Sequence, residues 1–197
     1  VGKTSFRYNS PGSLCLSDPT DSLIVKSLSS TLTGINTICN GSSTTLTAAG
    51  SGGTAPYTYR WSHSLATTNS VNVSPTTTTS YIVTVTDFYG CFGTSTITVT
   101  VRNRPTVSIS GTNVICSSAS STLTASGSGG SGSGYTYLWS HGLGTSSSVN
   151  VTPTATTTYS VTITDTNGCT NTSSSIVTVN NSPTGNISGT NSICNGS

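Results

Sequence analysis

Apolar and hydroxyl side chains alternate with a period of two along much of this chain. In Tyr159-Ser160-Val161-Thr162-Ile163-Thr164, the residues Tyr159, Val161 and Ile163 share one face and Ser and Thr hold the other, as in a sheet packed on one side and wet on the other. Stretches of the same kind, bounded by Gly, Pro, Asn and Ser clusters, predict strands over Thr106–Ser110, Ser121–Ala125, Tyr135–Ser140, Ser148–Val151, Thr157–Asp165 and Ser173–Asn180. No segment combines a 3.6-residue period with capping residues, so no helix is expected. Nor does any apolar run approach the length of a membrane-spanning helix.

The pattern repeats. Thr31-Leu32-Thr33-Gly34-Ile35-Asn36-Thr37-Ile38-Cys39 returns as Ser108-Ile109-Ser110-Gly111-Thr112-Asn113-Val114-Ile115-Cys116, and again as Asn186-Ile187-Ser188-Gly189-Thr190-Asn191-Ser192-Ile193-Cys194. The offsets between the three cysteines are 77 and 78 residues. Trp61-Ser62-His63 is matched by Trp139-Ser140-His141, and Asp87-Phe88-Tyr89-Gly90-Cys91 by Asp165-Thr166-Asn167-Gly168-Cys169. A period of this length marks tandem modules rather than one large domain. The organisation expected is a segment outside the repeat over 1–27, complete repeats over 28–103 and 104–181, and the first strand of a third repeat over 182–197. About seven short strands around one central Trp in each repeat fit an immunoglobulin-like sandwich. The expected fold class is all-β, as tandem sandwiches with terminal strands available for pairing between subunits.

Composition narrows the function. Only 5% of the 197 residues are charged, Lys and Arg number 6 and Asp and Glu number 4, for a net charge of +2. That gives no basic surface for nucleic acid and few of the side chains from which acid–base or metal catalysis is built. No enzyme activity and no cofactor are expected. His63 and His141 each stand alone after a strand and read as turn residues, and Trp61 and Trp139 read as core. Asp87 and Asp165 open turns in which a carboxylate bonds backbone N–H groups two residues on.

Six cysteines in so polar a chain point to an oxidising, extracellular or cell-surface setting. One pair per repeat, Cys39 with Cys91 and Cys116 with Cys169, is expected to form a structural disulfide between two loops at one end of each sandwich. Cys15 and Cys194 remain. Either their partners lie in a longer chain, or Cys15 of one subunit meets Cys194 of the next and locks a head-to-tail assembly.

Ser and Thr fill roughly two-fifths of the positions, far above ordinary usage, and a neutral surface of this kind gains solubility from covalent glycans. Candidate attachment sites are the run Thr76, Thr77, Thr78 and Thr79, and the Asn-x-Ser/Thr sequons at Asn40, Asn72, Asn150, Asn171, Asn180, Asn186 and Asn195. The apolar Ile187 and Ile193 of the unfinished repeat need cover, and strand addition into a neighbouring subunit's sheet supplies it. The partner expected is therefore a second copy of this chain. Exposed aromatics at Phe88, Tyr89 and Phe92 offer a second reading, a loop surface that grips carbohydrate or a surface protein.

Taken together, several motifs resemble a known family. They are Cys39-Asn40-Gly41-Ser42, Tyr57-Thr58-Tyr59-Arg60-Trp61-Ser62, Val83-Thr84-Val85-Thr86 leading into Asp87-x-x-Gly90-Cys91, and Thr98-Val99-Thr100-Val101. They resemble the Ig-like/PKD-like tandem repeats of large Bacteroidota cell-surface proteins, among them gliding adhesins exported by the type IX system. The resemblance covers about 28–181 and implies extracellular, non-enzymatic arrays acting as stalks, adhesins or filaments. Asp21-Ser22-Leu23 is similar to the O-glycosylation motif of that phylum, which adds Ser22 to the candidate glycan sites.

Overall fold

A computed structural model describes residues 14–16 and 25–189, with side chains from Ser27 onward. The short strands β1 (Leu14–Leu16) and β2 (Val25–Ser27) pair antiparallel. The chain forms two compact units, divided between Asn103 and Arg104.

The first unit holds β3 (Ser29–Thr33), β4 (Thr37–Cys39), β5 (Thr44–Ser51), β6 (Thr58–Trp61), β7 (Ser70–Val73), β8 (Thr79–Thr86) and β9 (Phe92–Arg102). One sheet has the order β3-β5-β7 and the other β4-β9-β8-β6. Every pairing is antiparallel except β4 with β9. The second unit repeats this with β10 (Pro105–Gly111), β11 (Val114–Cys116), β12 (Ser121–Gly129), β13 (Thr136–Trp139), β14 (Ser148–Val151), β15 (Thr157–Thr164) and β16 (Thr170–Asn180). Each unit is an all-β sandwich.

Period-two alternation builds the cores. Leu46 and Ala48 from β5 meet Val83 and Val85 from β8 and Val99 from β9, all buried. Leu123, Ala125, Val161 and Val177 do the same in the second unit. Trp61 and Trp139 are buried in these cores, and their indole N–H groups donate to Thr68 O and Ser146 O at 2.9 Å. A buried Trp with its one donor satisfied adds area without a polar penalty.

The opening strand of each repeat is longer than the alternation suggested and belongs to both sheets. At Gly34 the chain leaves β3 and crosses to β4, and Gly111 takes it from β10 to β11. These glycines have φ of 151° and 144°, and a Cβ on Gly34 would lie 2.7 Å from Thr45 O. Only glycine allows that approach. A second pair, Gly50 and Gly127, lies beneath the rings of Tyr57 and Tyr135, whose hydroxyls donate to Gly52 O and Gly129 O at 2.6 Å.

Candidate functional site

The positions that distinguish these units from generic sandwiches cluster at their two ends. At the leading end, where the chain enters β3 or β10, sits the Asp-x-x-Gly-Cys turn. Asp87 is buried, and its Oδ1 accepts the N–H groups of Tyr89 at 3.0 Å and Cys91 at 2.8 Å. Its Oδ2 accepts Thr54 N–H at 3.0 Å from the loop after β5. Asp165 repeats the arrangement with Asn167 at 3.0 Å, Cys169 at 2.8 Å and Ser131 at 3.0 Å. A buried carboxylate with three backbone donors is a structural clamp. It closes the turn on itself, pins a second loop to it and fixes the direction of the following cysteine.

At the trailing end, β4 lies parallel to the last residues of β9, with Cys39 opposite Arg102, and Asn40 N–H donates to Arg102 O at 2.8 Å. In the second unit Cys116 lies opposite Asn180 in the same register, and Ser117 N–H donates to Asn180 O at 2.9 Å.

This register corrects the expected disulfides. Cys91 directly precedes β9, while Cys39 pairs with its final residue, Arg102, eleven residues on from Cys91. At about 3.3 Å per residue the two lie roughly 36 Å apart along the strand, whereas bridged Cα atoms lie within about 7 Å. Cys39 and Cys91 therefore do not bond each other, and the same register separates Cys116 from Cys169. Cys39, Cys91 and Cys169 are nonetheless each disulfide-bonded, while Cys116 carries a free, exposed thiol. The two cysteine-bearing loops occupy opposite ends of each sandwich, not one end. The side chains of Cys15 and Cys194 lie outside the described residues.

His63 and His141 adopt left-handed backbone with φ of 59° and 58°. The preceding Ser62 and Ser140 hydroxyls accept the N–H groups of Ile82 at 3.1 Å and Ser160 at 3.0 Å, so the Trp-Ser-His motif ties a turn to the neighbouring strand. Among the described residues, no three His, Cys, Asp or Glu side chains gather as a metal site would require.

Asn40, Asn72, Asn150, Asn171, Asn180 and Asn186 are all exposed. The Asn171 amide nitrogen, however, already donates to Pro105 O at 2.9 Å. Thr76, Thr77 and Thr78 are exposed, but Thr78 accepts Val101 N–H and Thr79 donates to Thr77 O. Ser22, Ile193 and Asn195 lie outside the described residues. Residues 181–189 form no strand, and Ile187 is 99% exposed. Phe88 and Tyr89 project at the leading end of the first unit with their rings edge to face, centroids 5.1 Å apart.

No family profile and no curated protein matches this chain. Among solved structures, it is similar to the Sidekick-1 immunoglobulin domains 1–4, at 11% identity and a TM-score of 0.38, over 75% of this chain and 47% of that one. It is also similar to a 1.5-MDa bacterial ice-binding adhesin studied for host cell surface retention, at 20% identity and a TM-score of 0.33, over 78% of this chain and 65% of that one. The chain thus spans about half the length of the Sidekick-1 fragment.

Proposed function

We propose that this chain is a structural segment of an extracellular filament or cell-surface stalk, built from Ig-like modules and extended head to tail by terminal strand exchange. The observation that carries this reading is the polarity of each module: the chain enters at the Asp-x-x-Gly-Cys end and leaves at the opposite end beside Cys39 or Cys116. Repeating such a unit adds length. Hydroxyl-rich, weakly charged strand faces suit a surface that is solvated, glycan-coated and extracellular. The stretch 181–189 joins no strand and exposes Ile187, which suits a segment that pairs elsewhere. Negative-stain microscopy of the chain with and without Ser182–Ser197 tests the assembly. Filaments lost on deletion are expected, and filaments that persist without that segment would overturn strand exchange.

A second reading, an adhesin gripping carbohydrate or a surface protein, is favoured by the exposed Phe88–Tyr89 pair, which the second unit replaces with Thr166 and Asn167. Glycan-array binding that disappears with Phe88→Ala and Tyr89→Ala together would favour it.

A further inference from the structure

Where β6 runs into the Trp-Ser-His turn, the first unit opens a cleft of about 410 Å³ lined by Arg60, Ser62, His63, Ser64, Ile82 and Thr84. All of these residues belong to that one unit. Arg60 is exposed, and its guanidinium makes no hydrogen bond or ion pair among the described residues. The one carboxylate among the described residues of this unit, Asp87, is buried with both oxygens held by its own turn and loop. The charge at the cleft therefore stands without a counter-charge. The hydroxyls of Ser64 and Thr84 also lack a partner among the described residues, whereas others on the same sheet face bond each other, as Ser80 does with Thr98 at 2.8 Å. His63 is fixed: its Nδ1 lies 2.9 Å from Ser62 Oγ and its ring packs on Tyr81, centroids 5.3 Å apart, which leaves Nε2 for the cleft.

Backbone strain marks the same place. His63 and Ser64 are both left-handed, with φ of 59° and 54°. The second unit keeps this turn but has Gly142, with φ of 68°, where the first has Ser64. Glycine adopts that conformation freely and serine does not, so the hydroxyl is retained at a cost to folding. The second unit also has Leu138 in place of Arg60 and Ser160 in place of Ile82. The charge, the strained hydroxyl and the apolar strip thus occur together in one copy of the module and are missing together from the other.

We propose that this cleft binds a carboxylated sugar, a uronic acid unit of an acidic polysaccharide. The planar fork of Arg60 takes the carboxylate through two parallel N–H···O bonds. Ser64, Thr84 and His63 Nε2 serve the ring hydroxyls, and the half-exposed Ile82 lies under the apolar C–H face of the ring. A lone guanidinium matches the single charge of a carboxylate, whereas a phosphate dianion would be only half neutralised. The site shares no residue with the Phe88–Tyr89 pair and needs no filament, so it stands or falls apart from both readings above.

Isothermal titration of the full chain with a galacturonic acid trisaccharide, and with a neutral galactose trisaccharide, tests the site. Saturable binding of the acidic sugar alone is expected. Arg60→Leu installs the side chain that the second unit carries, so the fold and its thermal transition should persist while affinity falls by about tenfold or more. Ser64→Gly, the other exchange between the units, should weaken binding by about threefold. Amide shifts during the titration should gather at residues 60–64 and 82–84 and spare the matching positions 138–142 and 160–162. Absent binding, equal binding of the neutral sugar, unchanged affinity in either variant, or equal shifts in both units would overturn the proposal.

Discussion

The two units share one topology and one strand register, and three of the differences between them each isolate one physical effect. Cys39 is bonded where Cys116 is free. Thr44 Oγ1 is buried without a hydrogen-bond partner, whereas its counterpart Ser121 donates to Thr112 O. The aromatic pair Phe88–Tyr89 on the first unit's leading turn is polar in the second. The two copies thus differ in surface and in pairing state and share the clamp, the crossing glycine and the central Trp. A natural duplication of this kind works as an internal control: a change made in one unit can be read against the other in the same molecule.

The largest disturbance expected is loss of a central indole. Trp61→Ala should destabilise the first unit by about 3–5 kcal/mol and Trp139→Ala the second by as much. Calorimetry of the pair should show one transition falling while the other stays, and equal shifts in both would mean that the units unfold as one. Next comes the cysteine contrast. Cys39→Ser should cost about 2–4 kcal/mol through the lost crosslink, while Cys116→Ser should stay within about 0.5 kcal/mol. Equal costs in denaturant titrations would erase that distinction.

Removing a clamp follows closely. Asp87→Ala or Asp165→Ala strands backbone donors and should cost about 2–3 kcal/mol, with faster hydrogen exchange at the amide of Cys91 or Cys169. Unchanged exchange at those amides would show that water replaces the carboxylate. The smallest effect has opposite signs in the two units. Thr44→Val removes an unsatisfied hydroxyl and should stabilise the first unit by about 1 kcal/mol, whereas Ser121→Ala loses a bond and should destabilise the second by about as much. A loss of stability on Thr44→Val would mean that its hydroxyl is hydrated.

Much of this architecture is legible in the sequence. Alternation at Tyr159, Val161 and Ile163 places exactly those side chains inward, because a strand's period of two leaves little freedom once one face is buried. Repetition of Trp-Ser-His and Asp-x-x-Gly-Cys fixes the module length. The Asp turn is visible as a local motif, but its third bond, from Thr54 or Ser131, joins residues 33 or 34 positions apart and depends on how the loops stack. The cysteine pairing is illegible for a related reason. Spacing along the chain gives the size of a loop, whereas pairing depends on which end of the sandwich each loop reaches. That in turn follows from the crossing at Gly34 and Gly111, which carries the opening strand into the second sheet and delivers Cys39 and Cys116 to the trailing end.

The same crossing has a mechanical consequence. Because β4 runs parallel to the closing strand β9, tension applied along the chain pulls the two strands in opposite directions along their common axis. Their hydrogen bonds are loaded in shear and must yield together, instead of opening one after another as at the end of a hairpin. A short three-residue ladder placed there acts as a brake on extension, and β11 with β16 sets a second one in series.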